Sequence, residues 1–127
     1  MSVYAGGDAR FDWGKEVRTI NANYPVIVFS KSHNRYSRRA KKLLEAYDIQ
    51  PAPKIIEVDL REDSNIIKSI LTRLTHHSTF PNIIIRGKSI GGSDDLQALH
   101  VQRDLIKVLV EAGAEARDDG SLRDIPS

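Results

Sequence analysis

The sequence predicts a small α/β domain, a four-stranded sheet flanked by helices on both faces. Three observations carry that expectation. Val26-Ile27-Val28-Phe29 is apolar, mostly β-branched and introduced by Pro25, so it reads as a buried strand, and a helix follows within a few residues. A second strand, Lys54 to Leu60, comes after that helix and the break at Pro51 and Pro53, which makes a right-handed βαβ unit with parallel strands. Further on, Asn82 to Arg86 and Ser89-Ile90 are joined by the tight turn Gly87-Lys88 and pair as a hairpin. The order helix, βαβ, helix, ββ, helix is that of a layered α/β protein.

Each helix has its own signal. Asp12 can cap a first one through Ile20, with Phe11, Val17, Ile20 and Trp13 available to face inward. Gly14 inside it lowers helix propensity by about 1 kcal/mol. The second starts near Arg35 or Tyr36 and ends around Tyr47-Asp48, with Ala40, Leu43, Leu44 and Tyr47 on one face. Asp63 or Ser64 opens a third, striped by Ile66, Ile67, Ile70, Leu71 and Leu74. Ser93 or Asp94 caps a last helical region whose apolar set is Leu96, Leu99, Leu105, Ile106, Leu109 and Val110, with a break near His100. Residues 1–10 are expected to be a flexible start, 11–112 the domain, and 113–127 a disordered tail of small, charged and proline residues.

At 127 residues the chain can bury one real core without staples, and 40% hydrophobic with 28% charged residues is ordinary for a soluble domain. A net charge of +2 gives bulk charge no argument for nucleic acid. The run Lys31, Arg35, Arg38, Arg39, Lys41 and Lys42 reads as a solvated helix face, since Tyr36 is the one aromatic near it. No apolar run approaches the roughly 18–20 residues of a membrane span.

Three stretches could carry chemistry. Where the first strand runs into its helix, free backbone N–H groups, the positive end of the helix dipole and the cations Lys31, Arg35, Arg38 and Arg39 gather at one point, a design for holding an anion. In Gly91-Gly92-Ser93-Asp94-Asp95, glycines allow close backbone approach, the following helix start can take a carboxylate, and Asp94 can pair with an ammonium. A plain glycine turn with an acidic helix cap has the same residues. In Thr79-Phe80-Pro81 the proline can simply open a strand. His76-His77 read as exposed loop histidines. Adjacent side chains diverge and no third ligand stands nearby, so no metal is expected.

Together these stretches resemble the glutaredoxins, over about Phe11 to Ala112. The resemblance implies the thioredoxin-like fold, with the hairpin strands antiparallel to the first pair in one four-stranded mixed sheet. It implies a cis peptide bond before Pro81, with Phe80 offering its backbone to an extended peptide. It implies that Lys31 reaches the glycine carboxylate of glutathione, that Tyr36 lines the groove beside the thiol, and that Gly92, Ser93 and Asp94 hold the γ-glutamyl end. His77 stands where many members carry Gln or Arg for the same carboxylate, and an imidazole there would bring a charge that titrates near neutrality.

At the centre the family pattern fails. Aligned on Ser30-Lys31 and Tyr36, the nucleophilic cysteine falls at Asn34, and Asn34-Arg35-Tyr36-Ser37 replaces the active-site motif in a chain with no cysteine at all. Disulfide exchange needs a thiolate, which neither the Asn34 amide nor the Ser37 hydroxyl supplies. A cluster bound through that cysteine would lose its protein ligand. The expectation is therefore a glutathione-binding, glutaredoxin-like protein without oxidoreductase turnover and without a metal or iron–sulfur cluster, taking glutathione or a glutathionylated or extended peptide as ligand.

Two alternatives stand beside it. One is a transferase-like enzyme in which Asn34, Tyr36 or Ser37 donates to the thiol of bound glutathione and lowers its pKa. The other is an interaction module whose groove has decayed and been filled by His33 or Arg35, with a protein as partner. A monomer with no nucleic-acid partner and no membrane span in this chain is expected. Ser78 to Pro81 and Gly87 to Asp95 are similar to the fungal secretory-pathway members, which implies a Golgi or endoplasmic reticulum lumen setting, with the cytoplasm as the alternative.

Overall fold

The computed structural model describes residues 18–20 and 22–117. At its centre is β1 (Val26–Ser30), all five residues buried. It pairs in parallel with β2 (Lys54–Glu57) and antiparallel with β3 (Asn82–Ile85), and β3 pairs antiparallel with β4 (Lys88–Gly91), giving the order β2-β1-β3-β4. This is the mixed sheet expected of a thioredoxin-like fold.

Because alternate strand residues face opposite sides, β1 serves two cores. Val26 and Val28 meet Ala40, Leu43 and Leu44 of α1 (Arg35–Ala46) and its C-cap Tyr47, with Leu96 of α3 (Ser93–Val101) and Leu105 and Leu109 of α4 (Leu105–Glu111). Ile27 and Phe29 meet Ile56, Val58 and Ile84, with Ile67 and Leu71 of α2 (Ser64–Thr75), on the other face. A strand covered on both sides has no polar alternation to show, which is why its sequence is a continuous apolar run.

Several boundaries differ from the sequence expectation. β1 takes in Ser30, whose hydroxyl donates to Glu57 directly across the parallel register at 2.6 Å. The strand expected to reach Leu60 stops at Glu57, and Val58–Leu60 is a 3-10 turn. There Val58 drops into the second core while Asp59 turns out to bind Ser32. β4 gains Lys88 and Gly91 through pairing with Ile85 and Ile83. The last helical region is two helices. Arg103, at φ 64°, breaks it just beyond His100, and Asp104 N–H bonds Leu99 C=O. In α2 only Ile67 and Leu71 are fully buried, whereas Ile66 and Leu74 are exposed. Val110 of α4 is exposed too.

The stretch from Ala114 onward was expected to be disordered, and its first residues are packed instead. Ala114 is buried, Glu115 pairs with Gln50 through two 2.8 Å backbone hydrogen bonds, and Arg117 N–H reaches Tyr47 C=O at 2.8 Å. At the other end, residues 18–20 and 22–23 are helical and Ile20 joins the second core. The expected cap Asp12, the inward residues Phe11, Trp13 and Val17, and the terminal segments 1–10 and 118–127 lie outside the described residues.

Candidate functional site

Between β1 and α1 the chain makes a short loop held from three directions. Asn34 is the N-cap of α1, in extended conformation, and its Oδ1 accepts from Tyr36 N–H at 2.8 Å and Ser37 N–H at 3.0 Å. Those are donors the first turn of a helix otherwise leaves open. Asn34 N–H returns to Lys31 C=O at 3.0 Å. Ser37 is buried, and its hydroxyl oxygen accepts the Lys31 N–H at 3.1 Å. From outside, Asp59 accepts both the backbone N–H and the hydroxyl of Ser32, at 2.8 and 2.7 Å. Those bonds, the hydroxyl's first, hold the Asp59 carboxyl below its ordinary value.

The facing wall is the turn after α2 and the start of β3. The Phe80–Pro81 peptide bond is cis, as expected. The Gln50–Pro51 bond is cis as well, which the sequence reading did not anticipate. Lys31 Nζ lies 5.2 Å from the centre of the Phe80 ring, a cation–π contact that spans the gap. The two histidines diverge. His76 is exposed and closes α2 in a left-handed conformation, whereas His77 turns in and places Nε2 3.3 Å from Pro81 C=O and 3.3 Å from Thr79 Oγ1. A carbonyl only accepts, so His77 Nε2 carries the proton in that bond.

The third wall is the start of α3. Gly91, at φ 106°, has no room for a side chain against the Asp95 carboxylate, which accepts Gly92 N–H at 2.9 Å. At Gly92 a Cβ would meet Pro81 C=O at 3.3 Å and the His77 ring just beyond, so a glycine here keeps two walls in contact. Ser93 is buried and its hydroxyl has no hydrogen-bond partner among the described residues. Asp94 is exposed and sits 3.4 Å from Arg39 of α1. Such a solvated pair adds little stability.

Asn82 ties the second and third walls together, a role that sequence reasoning missed. It is buried at the head of β3, donates from Nδ2 to Thr75 Oγ1 at 2.9 Å, and accepts from Ser89 Oγ at 2.7 Å. Ser89 Oγ in turn accepts Gly91 N–H at 3.2 Å, and Thr75 Oγ1 accepts His77 N–H at 3.3 Å. The one signal was a polar residue opening the otherwise apolar run Asn82-Ile83-Ile84-Ile85.

These walls enclose an open groove of about 520 Å³. Lys31, Asn34, Tyr36, His77, Phe80, Pro81, Gly92, Ser93 and Asp94 all line it, with Ser78, Thr79 and Asp95 besides. Ser37 does not, because it is buried behind the loop, and this removes it as a donor to anything bound in the groove. The basic run is tied down piecemeal. Arg38 donates to His33 C=O at 3.3 Å, Arg39 faces Asp94, and Lys41 bonds Glu57 at 2.7 Å. Among the described residues no group of three or more His, Cys, Asp or Glu side chains is placed to hold a metal, and no helix is long and apolar enough to cross a membrane.

A helix-capping loop, a cis-proline turn and a Gly-Gly helix start arranged on a four-stranded mixed sheet define a thioredoxin-like protein. The family model for glutaredoxin matches residues 26–90. Rice glutaredoxin-C4, chloroplastic, is 38% identical over 101 residues, covering 80% of this chain and 74% of that protein. Monothiol glutaredoxin-7 of Saccharomyces cerevisiae is 36% identical over 101 residues, covering 79% of this chain and half of its own length. Among solved structures, a buckwheat glutaredoxin–glutathione complex superimposes with a TM-score of 0.71 at 34% identity, over 81% of this chain and 91% of the other. The chain belongs to the glutaredoxin family, and it has no cysteine.

Proposed function

We propose that this protein binds glutathione, free or carried by a glutathionylated or extended protein partner, and does not itself catalyse thiol–disulfide exchange. One observation carries the reading. Nine residues from separate segments of the chain converge on a single groove, and at the start of α3 that groove holds a buried hydroxyl, Ser93, still without a partner among the described residues. In this reading Lys31 takes the glycine carboxylate, joined by His77 when its Nε2–H turns from Pro81 C=O, the Phe80 backbone lies along the peptide, and Tyr36 flanks the sulfur. Gly92, Ser93 and Asp94 take the γ-glutamyl end, where the helix start suits a carboxylate and Asp94 exchanges Arg39 for an ammonium. The bound glutathione of the buckwheat complex supports the assignment by kinship. Loss of turnover follows from chemistry, since Asn34 is neither nucleophilic nor ionisable and its oxygen is already spent on the helix start. The same lack of a thiolate leaves a cluster no protein ligand of the family's kind.

A decayed groove is less well supported, because neither His33 nor Arg35 lines it and the Arg35 guanidinium instead lies 5.2 Å from the Tyr36 ring. Calorimetric titration with glutathione of this chain and of Asn34→Cys tests the core of it. Binding by both proteins, with exchange activity in the variant alone, is the expected result. Absence of binding in both would sink the proposal.

A further inference from the structure

We propose that Asn34 makes the centre of the groove selective for an anionic sulfur: the thiolate of glutathione, or a sulfonate on the same tripeptide, in preference to an S-alkyl form. This rests on the glutathione reading above. The argument starts from the amide's orientation. Two backbone N–H groups point at one end of the Asn34 side chain, at 2.8 and 3.0 Å, and only the oxygen can accept them. The NH₂ end is therefore the free end. It has no protein partner among the described residues, and Asn34 lines the groove. Where the family pattern has a nucleophile, this protein presents a neutral donor, and a donor is matched by an acceptor on the ligand.

The charges around that donor favour an anion. Lys31 lines the groove and lies over Phe80, while Arg35, outside the lining, lies beside Tyr36. His77, on the opposite wall, already donates to Pro81 C=O. The carboxylates that face the groove come from α3 and are engaged, Asp95 by Gly92 N–H and Asp94 by Arg39, while Asp59 from the turn after β2 is held by Ser32. A thiolate or sulfonate placed against Asn34 Nδ2 completes a charge-assisted hydrogen bond. The sulfur of an S-methyl ligand is only a weak, neutral acceptor for the same N–H groups.

Calorimetry on the full chain with glutathione, S-methylglutathione and glutathione sulfonate tests this. The ratio of glutathione to S-methylglutathione affinity is expected to rise about tenfold as pH passes through about 8.5, the ordinary thiol range. The sulfonate is expected to hold its advantage over the S-methyl form throughout. The S-methyl ligand meets every titratable group of the protein that glutathione meets, so the ratio reports the sulfur. Asn34→Asp keeps an oxygen for the helix cap but turns the centre anionic. It is expected to lose the sulfonate about tenfold or more relative to S-methylglutathione. Equal affinity for all three ligands, tightest binding of the S-methyl form, or an undiminished sulfonate affinity in Asn34→Asp would overturn the inference and leave the glutathione reading standing. Binding of none of the three overturns both.

Discussion

Ser32 and Asp59 show how a single contact positions the loop that carries Asn34. Asp59 is solvent-exposed, yet the two hydrogen bonds from Ser32 favour its charged form and hold its pKa below the ordinary 3.8. A depressed folded-state value contributes stability above the unfolded pKa, and that contribution is lost as pH falls below it. Ser32→Ala is therefore expected to move the Asp59 carboxyl titration, followed by NMR, up toward 3.8 and to flatten the fall in stability on the acid side of that value. A titration that stays depressed in the variant would assign the shift to another cause. This contact also decided an element boundary that could not be read in advance. Val58-Asp59-Leu60 continues a strand-like pattern, and only a partner 27 residues away shows that the chain turns there.

Among elements, β3 does more than complete the sheet. Through Asn82 it couples α2 and its following turn to β4 and the start of α3, so the cis-proline wall and the Gly-Gly wall are set relative to each other by one buried amide. Asn82→Ala removes a bond each from half-buried Thr75 and Ser89 and leaves a space at a buried position, and it is expected to lower stability by about 1–3 kcal/mol in denaturant melts. Glutathione affinity is expected to fall further than it does in a surface control such as Val101→Ala. An unchanged affinity would mean that the two walls hold their places without the network. The three motifs around the groove were legible because each is local, a strand, turn or helix start with its own residue signature. The network was not, because Thr75, Asn82 and Ser89 belong to three elements and each alone is an ordinary polar residue. The replacement of the nucleophile was legible only against the family pattern, since Asn34 by itself reads as a good helix cap.

For the whole molecule, the sheet and the two helical layers were legible from buried apolar periodicity, and the margins were not. Ala114 to Arg117 carry small and charged residues with no period, and they are ordered by backbone pairing with Gln50 and Tyr47 that composition does not encode. Ending the chain after Gly113 removes that pairing and the buried Ala114, and a stability loss of about 1–2 kcal/mol is expected, read as a drop of several degrees in Tm. An unchanged Tm would show the segment to be a passenger on the domain.

β1 lies under both helical layers, as β3 does, and this shapes how the protein opens. Loosening α2 uncovers Ile27 and Phe29 while Val26 and Val28 remain sealed under α1, and the converse holds for loosening the other layer. Its amides are released to solvent only when both layers let go together, so they should exchange with deuterium at the rate of global unfolding while the outer helices breathe on their own. The central strand is thus the last part of the domain to yield, and the walls of the groove can flex without unmaking the sheet on which they stand.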